Sequence, residues 1–207
     1  MDASKVAHAT SDFHPEGKIN KGGRTNKNME GVKMAGKISG KISIKYHLFQ
    51  VSAGWIGLTG AGKGLRRLSL QPAPQESLEG LGPELEQSEN DPSYFTKEQK
   101  CLERYFSGDT GALDEIELDF SGAPPFFTAA WKACRSIPAG ETRSYAWLAA
   151  EAGSPLAVRA AGQAMARNRF ALVIPCHRVI ASDGDLRGYG AGGLKVKAEL
   201  LNMERDN

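Results

Sequence analysis

The sequence predicts a small α/β N-terminal unit followed by a mostly helical C-terminal unit that contains a helix-turn-helix. Apolar and polar residues alternate from Ile42, an acidic, proline-rich stretch covers 71–93, and three helical patterns follow Pro124. We divide the chain into a disordered leader over 1–40, an α/β domain over 41–120 and a C-terminal domain over 121–207.

Composition excludes several classes of protein. A chain of 207 residues with 41% hydrophobic and 24% charged residues can bury a core, and no apolar run approaches the ~18 residues of a membrane span. The three cysteines are too few and too scattered for a disulfide framework or a four-cysteine metal site, which predicts a reducing compartment. The N-terminus lacks the apolar core of a signal peptide, so we expect no export.

The N-terminal elements follow from hydrophobic periodicity. Residues 1–40 are rich in Lys, Gly, Asn and Ser and keep no period, which predicts disorder. Apolar runs at 55–58 and 65–70 predict two strands of a small antiparallel sheet. A first strand is predicted by the alternation that buries Ile42, Ile44, Tyr46 and Leu48 on one face.

Residues 57–63 are similar to a phosphate-binding loop, with the pattern G-x-x-x-x-G-K. The next residue is Gly64, so the hydroxyl that would hold magnesium is missing. Because a strand rather than a helix is predicted to follow, we interpret the segment as a glycine-rich hairpin turn.

The acidic stretch over 71–93 contains four prolines and six acidic residues, which predicts an exposed loop. A helix is then predicted from Thr96, with Gln99 completing a capping box. Its buried stripe is formed by Cys101, Leu102, Tyr105 and Phe106.

Three helices are predicted after Pro124. The first buries Phe127, Ala130, Trp131 and Cys134, a stripe at i, i+3, i+4 and i+7, which makes Cys134 a packed thiol. The second covers about 144–152, and the third begins after Gly153 with Ser154 as its N-cap. A pair of helices joined by a short turn that contains glycine forms a helix-turn-helix.

The outer face of the third helix is small and carries one cation. Its buried stripe is predicted to be Val158, Ala161, Gly162 and Met165, which leaves Ala157, Arg159, Ala160 and Gln163 outward. Small residues allow a helix to approach a DNA groove closely, but an ordinary αα-hairpin with an alanine-rich surface gives the same pattern. The basic C-terminal third, with 11 Lys/Arg against 7 Asp/Glu over 122–207, permits nucleic-acid contact without requiring it.

Cys176 is the strongest candidate for chemistry. An apolar run over 171–174 leads into Pro175-Cys176-His177-Arg178, where a base and a cation adjoin the thiol and are expected to depress its pKa. Neighbouring side chains on an extended chain point apart, so His177 is expected to act through a turn or a water. A buried structural cysteine and a metal ligand stay open as alternatives.

These residues resemble the O6-alkylguanine-DNA alkyltransferases. The resemblance rests on Pro175-Cys176-His177-Arg178-Val179 after Asn168, on the preceding helix-turn-helix, and on Gly188-Tyr189 and Gly192-Gly193-Leu194 that follow. It is close over 124–204 and only architectural over 42–120. It implies a winged-helix-like C-terminal domain and single-turnover transfer of an alkyl group from O6-alkylguanine, and from O4-alkylthymine, in DNA to the protein.

The resemblance also implies roles for individual residues. Cys176 is then the alkyl acceptor, His177 takes its proton through a water, and Glu204 orients the histidine. Asn168 braces the turn and Tyr145 donates a hydrogen bond to the leaving guanine. The substrate pocket is formed by Tyr189, the Val179 carbonyl and Gly190.

For DNA, the resemblance implies that Arg159 enters the base stack as the guanine leaves, while Ala157, Ala160, Gly162 and Gln163 lie in the minor groove. The expected partner is double-stranded DNA with an alkylated guanine, bound by a monomer in the cytoplasm, or in the nucleus of a eukaryote. We expect no cofactor, no membrane contact and no zinc, because only His47 and Cys101 stand in the N-terminal domain beyond the leader. The chain departs from the family at Gly190-Ala191, where it is one residue longer than many members.

Two rival functions fit part of this pattern. Non-catalytic alkyltransferase-like proteins bind damaged DNA but replace the acceptor cysteine, which Cys176 argues against. A Cys-His hydrolase needs an oxyanion hole and usually takes its histidine from a distant segment, whereas here the two residues are adjacent.

Overall fold

The protein is described by a computed structural model over residues 43–206. The predicted leader over 1–40, and Ile42 of the first predicted strand, lie outside the described residues.

A four-stranded sheet forms the N-terminal half of the described chain. It contains β1 (Ile44–Val51), β2 (Gly54–Ala61), β3 (Gly64–Gln71) and β4 (Ser88–Asn90), in the order β3-β2-β1-β4. The first three strands are antiparallel, and β4 adds to β1 in parallel. The phosphate-loop lookalike is confirmed as a hairpin, since β2 turns directly into β3 at Gly62 and Lys63.

The predicted buried face of β1 is wrong. His47 and Phe49 are buried, whereas Tyr46 and Leu48 are only half-buried. His47 pairs with Leu58 and Phe49 with Ile56, and both β2 partners are fully buried. Both faces of β1 carry large apolar or aromatic side chains, so alternation alone could not identify the core face.

The stretch over 71–93 is not simply an exposed loop, which corrects that prediction. It contains α1 (Pro74–Glu79), a 3₁₀ turn (Gly82–Gln87) and the edge strand β4. Leu81 is fully buried, and the buried Ser77 hydroxyl donates to the Trp55 carbonyl oxygen at 3.0 Å. These two contacts hold the acidic segment against the sheet.

The helix α2 (Thr96–Phe106) has the predicted stripe, with Cys101, Leu102 and Tyr105 buried. The predicted capping box is absent: Phe95 is the N-cap residue and makes no side-chain cap. Gln99 instead contacts His47 at 3.0 Å and donates to Glu103 at 2.9 Å.

The C-terminal half is built from helices, as predicted. They are α3 (Pro125–Arg135), α4 (Tyr145–Glu151), α5 (Val158–Ala166) and α6 (Gly193–Arg205), with β5 (Arg143–Ser144) and β6 (Val179–Ile180) paired in parallel. Trp131 is buried on α3, and its indole Nε1 donates to the Ala164 carbonyl oxygen at 2.8 Å, which fixes α5 against α3. Cys134 is a packed thiol, as expected.

The helix α5 begins at Val158 rather than at Ser154, which corrects its predicted start and N-cap. Gly153 has a φ of +81°, and the Ser154 amide donates back to the Ala149 carbonyl oxygen at 2.9 Å. Ser154 therefore closes the end of α4 instead of opening α5. Val158 is also exposed, not buried, while Ala161 and Met165 are buried as predicted.

Among residues 43–206, no helix combines the length and apolar character needed to cross a membrane.

Candidate active site

The candidate site lies at the end of an irregular turn over 168–176 that is held from several sides. Asn168 accepts a hydrogen bond from the Phe170 amide at 2.9 Å and donates one to the Ile174 carbonyl oxygen at 2.8 Å. Leu172 has a φ of +68°, an unusual conformation for a large side chain. The apolar run over 171–174 is buried, and it forms a turn instead of a strand.

The sheet supports this turn from below. The Leu68 amide of β3 donates to the Arg169 carbonyl oxygen at 2.7 Å, and the Ala171 amide donates back to Leu68 at 3.2 Å. Phe170 is fully buried and packs edge-on against Trp131. The turn is thus fixed between β3 and α3.

Cys176 is half-buried and opens a short 3₁₀ turn (Cys176–Arg178). Its Sγ accepts a hydrogen bond from the Asn168 side-chain amide at 3.2 Å. Burial raises the pKa of Cys176, and this outweighs the lowering by Asn168 and by the Lys197 charge. The expectation of a depressed pKa is wrong, so the resting group is a thiol.

His177 is fully buried, and its Nε2 lies 2.8 Å from Oε1 of Glu204. Burial lowers the pKa of His177 despite the opposing effect of Glu204, which makes the imidazole neutral near pH 7. A neutral ring that donates Nε2–H to Glu204 carries an unprotonated Nδ1. This Nδ1 is buried and has no hydrogen-bond partner among residues 43–206.

Glu204 is the centre of a buried network. Besides His177, it accepts a bidentate pair from Arg178, with Nε and Nη2 each at 2.8 Å, and the Tyr105 hydroxyl at 2.6 Å. Burial alone would raise the pKa of Glu204, but the hydrogen bonds from His177 and Arg178 hold it well below its usual range. Glu204 is therefore a carboxylate that fixes the histidine.

A cavity of about 440 Å³ opens beside Cys176. Tyr145 lines it, and burial raises the pKa of that phenol, so it stays protonated as a donor. The Tyr189 hydroxyl is buried and has no hydrogen-bond partner in the described part of the chain. The cavity is lined by Tyr145, Gly162, Met165, Ala166, Cys176, Gly188, Tyr189 and Gly190.

The structure thus brings together Cys176, His177, Glu204, Tyr145, Asn168, Tyr189 and Gly190. Val179 is fully buried and is not among the residues that line the 440 Å³ cavity beside Cys176, and its carbonyl oxygen accepts a hydrogen bond from Lys197 at 2.8 Å. Gly190 accepts a hydrogen bond from the Gln71 side chain at 3.0 Å, which ties the pocket loop to β3.

The outer residues of α5 lie apart from the catalytic network. Arg159 and Gln163 are exposed, as the pattern predicted, whereas Ala157 and Ala160 are half-buried. Gly162 faces the cavity, and a Cβ there would meet nothing within 4 Å.

A metal site was an alternative for Cys176. Within residues 43–206, no three His, Cys, Asp or Glu side chains are grouped so that they could hold a metal ion.

Comparison with known proteins decides the family. Residues 125–206 match the family described as "6-O-methylguanine DNA methyltransferase, DNA binding domain". A methylated-DNA–protein-cysteine methyltransferase of Methanosarcina barkeri is 40% identical over 162 residues, which cover 78% of this chain and 98% of the relative. The chain belongs to the methylated-DNA–protein-cysteine methyltransferase family. A methyltransferase of Mycobacterium tuberculosis is 44% identical over 115 residues, which cover 56% of this chain and 68% of the relative.

Solved structures of such methyltransferases share the fold. The crystal structure of the M. tuberculosis O6-methylguanine methyltransferase matches with a TM-score of 0.66 and 36% identity, over 79% of this chain and 93% of the other. The same protein in complex with DNA matches with a TM-score of 0.63 and 34% identity, over 78% and 93%.

Sequence reasoning missed three buried features of this methyltransferase: the position of Lys197, which donates to the Val179 carbonyl oxygen, and two of the partners of Glu204. Lys197, Leu200 and Glu204 stand at i, i+3 and i+7 on α6, a spacing that could have placed Lys197 on the buried face. Arg178 was visible in the motif, but its pairing with Glu204 was not. Tyr105 was predicted to be buried, yet nothing in the sequence indicates that its hydroxyl reaches a residue 99 positions away.

Proposed function

We propose that this protein repairs alkylated DNA by direct reversal, transferring the alkyl group of O6-alkylguanine to Cys176 in a single turnover. The observation that carries the proposal is the Cys176 Sγ on the wall of a base-sized cavity, with the buried His177–Glu204 pair beside it in sequence and in space. Family membership supports the same conclusion. We extend it to O4-alkylthymine.

The transfer needs a thiolate, and the resting thiol is protonated. We infer that the Cys176 proton passes through a water to the free Nδ1 of His177, while Glu204 stabilises the imidazolium that forms. Sγ then forms a bond to the alkyl carbon as the carbon–O6 bond breaks. The bonding electrons leave with the guanine, and Cys176 becomes a thioether.

Donors at the guanine lower the barrier of this step because negative charge develops on the base. The protonated Tyr145 phenol is the proposed donor to ring N3. Tyr189 forms a wall of the pocket, and Gly190 is one proposed contact to the guanine edge. The Val179 carbonyl oxygen, which keeps one lone pair besides the one that accepts from Lys197, is the other. Asn168 holds the turn and donates to Sγ.

For DNA binding, we propose that α4 and α5 form the helix-turn-helix of a winged-helix-like domain over 121–207. Ala157, Ala160, Gly162 and Gln163 approach the minor groove, and Arg159 replaces the extruded base in the stack. The Arg159 side chain is exposed and forms no hydrogen bond or ion pair within residues 43–206, so it is free to enter the stack. We propose that a monomer acts on double-stranded DNA, in the cytoplasm or, in a eukaryote, the nucleus.

The rival functions are disfavoured by the site. A non-catalytic alkyltransferase-like protein has no use for a reactive sulfur beside the cavity. A hydrolase histidine must contact the cysteine directly, whereas no hydrogen bond joins Cys176 and His177.

Mass spectrometry of the intact protein tests the function. After mixing with an oligonucleotide that contains one O6-methylguanine, the protein should gain one CH₂ unit, located on the Cys176 peptide, without further turnover. Cys176→Ala should bind the same DNA and gain no mass. Unchanged wild-type mass with tight binding would favour the non-catalytic alternative.

A further inference from the structure

A second cleft, of about 530 Å³, lies at the C-terminal end of α5 and is lined by arginines. Arg67 projects from β3, and Arg167 and Arg169 flank Asn168. The aromatic part of the wall is formed by Phe127 and Trp131. The alkyl-transfer chemistry uses none of these three cations. We refer to this site as the arginine cleft.

The protein does not neutralise the charge of the arginine cleft. Among the ion pairs formed within residues 43–206, none includes Arg67, Arg167 or Arg169. Two carboxylates act on Arg169 from nearby, Glu84 and Asp119, but Arg66 pairs with both. The cleft therefore keeps an excess of positive charge.

The guanidinium groups are held in place but keep unmet donors. The two Nη atoms of Arg169 donate to the Ser121 carbonyl oxygen at 3.3 and 3.4 Å. Arg169 lies 5.3 Å from the Trp131 ring centroid, and Arg167 lies 5.8 Å from that of Phe127. The Nε atoms of Arg67 and Arg169 are buried without a hydrogen-bond partner in the described structure. Burial and the neighbouring Arg67 lower the pKa of Arg169. Fixed like charges with unmet donors are costly unless an anion binds them.

We propose that the arginine cleft binds a phosphodiester group of the DNA backbone next to the extruded nucleotide. This rests on the proposed function. Ala166 lines both the arginine cleft and the Cys176 cavity, so a DNA strand that leaves the cavity reaches the arginines directly. Guanidinium forks match phosphate oxygens, and α5 itself offers only Arg159 to the DNA.

The salt dependence of binding tests the proposal. Affinity for an unmethylated duplex is measured by fluorescence anisotropy over a series of salt concentrations, for wild type, Arg67→Gln, Arg169→Gln and Lys100→Gln. Lys100 is exposed on α2 and serves as the control for loss of one positive charge. Each arginine variant should reduce the slope of log K against log salt by about 0.9, the value for one phosphate contact, and Lys100→Gln should leave it unchanged.

Unchanged slopes in both arginine variants would overturn the proposal. Weaker binding with an unchanged slope would also overturn it, because a damaged fold gives that result; thermal unfolding should show that both variants keep the wild-type Tm or exceed it. If inorganic phosphate raises Tm through Arg169 while the slopes stay unchanged, the cleft is a small-anion site instead. Methyl transfer is measured in a separate experiment. Failure of methyl transfer would reject the proposed function, whereas the salt slopes would still test phosphate binding by the arginine cleft.

Discussion

At the scale of single residues, the sequence linked two properties of Cys176, its neighbouring base and a depressed pKa. The structure shows that these two properties do not go together. His177, next to Cys176 in the sequence, is the proposed base, but adjacency does not set the pKa of either group. Burial raises the pKa of the thiol and lowers that of the imidazole, so both groups rest uncharged. In the proposed mechanism, the sulfur therefore becomes a nucleophile only when its proton passes to His177.

The pH dependence of transfer follows from these directions. As pH falls through the pKa of His177, which lies below its ordinary value of 6.5, Nδ1 becomes protonated and cannot accept the thiol proton. The rate of methyl transfer should therefore be flat near neutrality and fall only at pH values below 6.5. Single-turnover rates at saturating methylated DNA, measured across pH, check this. A rate that climbs steadily from neutral to alkaline pH would instead indicate that the thiol loses its proton to solvent and not to His177.

Tyr105 connects α2 to the buried carboxylate of Glu204, and its hydroxyl can be removed alone. Tyr105→Phe deletes one buried hydrogen bond to a charged group, which should lower the free energy of unfolding by about 1.5–3 kcal/mol. Urea denaturation measures the change. Tyr94→Phe is the matched control, because Tyr94 is 41% exposed in the 3₁₀ turn that precedes α2, and it should have almost no effect. Equal stability of the two variants would show that the Tyr105 contact contributes nothing.

At the scale of elements, strong periodicity correctly predicted the helices and the hairpins. The predictions were wrong where tertiary contacts determine which face is buried or where a helix begins. The stripes of α2 and α3 follow from a period of 3.6 residues, since one face must be buried. The core face of β1 did not follow, because both of its faces are apolar. The predicted start of α5 was also wrong. Ser154 is suited to either end of a helix, and here its amide donates to a carbonyl oxygen of α4.

The exposed position of Arg159 on α5 allows its function to be separated from folding. Arg159→Ala should change the free energy of unfolding by less than about 0.5 kcal/mol, as for other surface substitutions. Transfer from duplex DNA should slow by about tenfold or more, because extruding a stacked base costs a few kcal/mol.

A single-stranded methylated oligonucleotide is the control substrate for Arg159→Ala, since no paired base has to be extruded from it. The variant should react with this substrate at nearly the wild-type rate. Equal losses of rate with duplex and single strand would reject the role of Arg159 in extrusion.

At the scale of the whole described molecule, the sheet and the helical half share one active site. The sheet side reaches the site at three points: Leu68 pairs with the 168–176 turn, Gln71 holds the pocket loop, and Tyr105 of α2 binds Glu204. The sequence indicated two adjacent domains but not these contacts, because each joins residues far apart in the chain. The N-terminal part therefore acts as a support for the chemistry rather than as a separate module.

Two leucines of β3 allow this support to be tested. Leu68 bridges to Phe170 beneath the active-site turn, whereas Leu65 bridges to Leu118, and both side chains are buried. Leu68→Ala and Leu65→Ala should each lower the free energy of unfolding by about 2–5 kcal/mol, since each opens a cavity under the same strand. At a temperature where both variants are folded, Leu68→Ala should slow methyl transfer to Cys176 by about tenfold, because a 1 Å misplacement of a reacting group is costly. Leu65→Ala should react at nearly the wild-type rate. Equal rates in the two variants would mean that the turn holds Cys176 without help from the sheet.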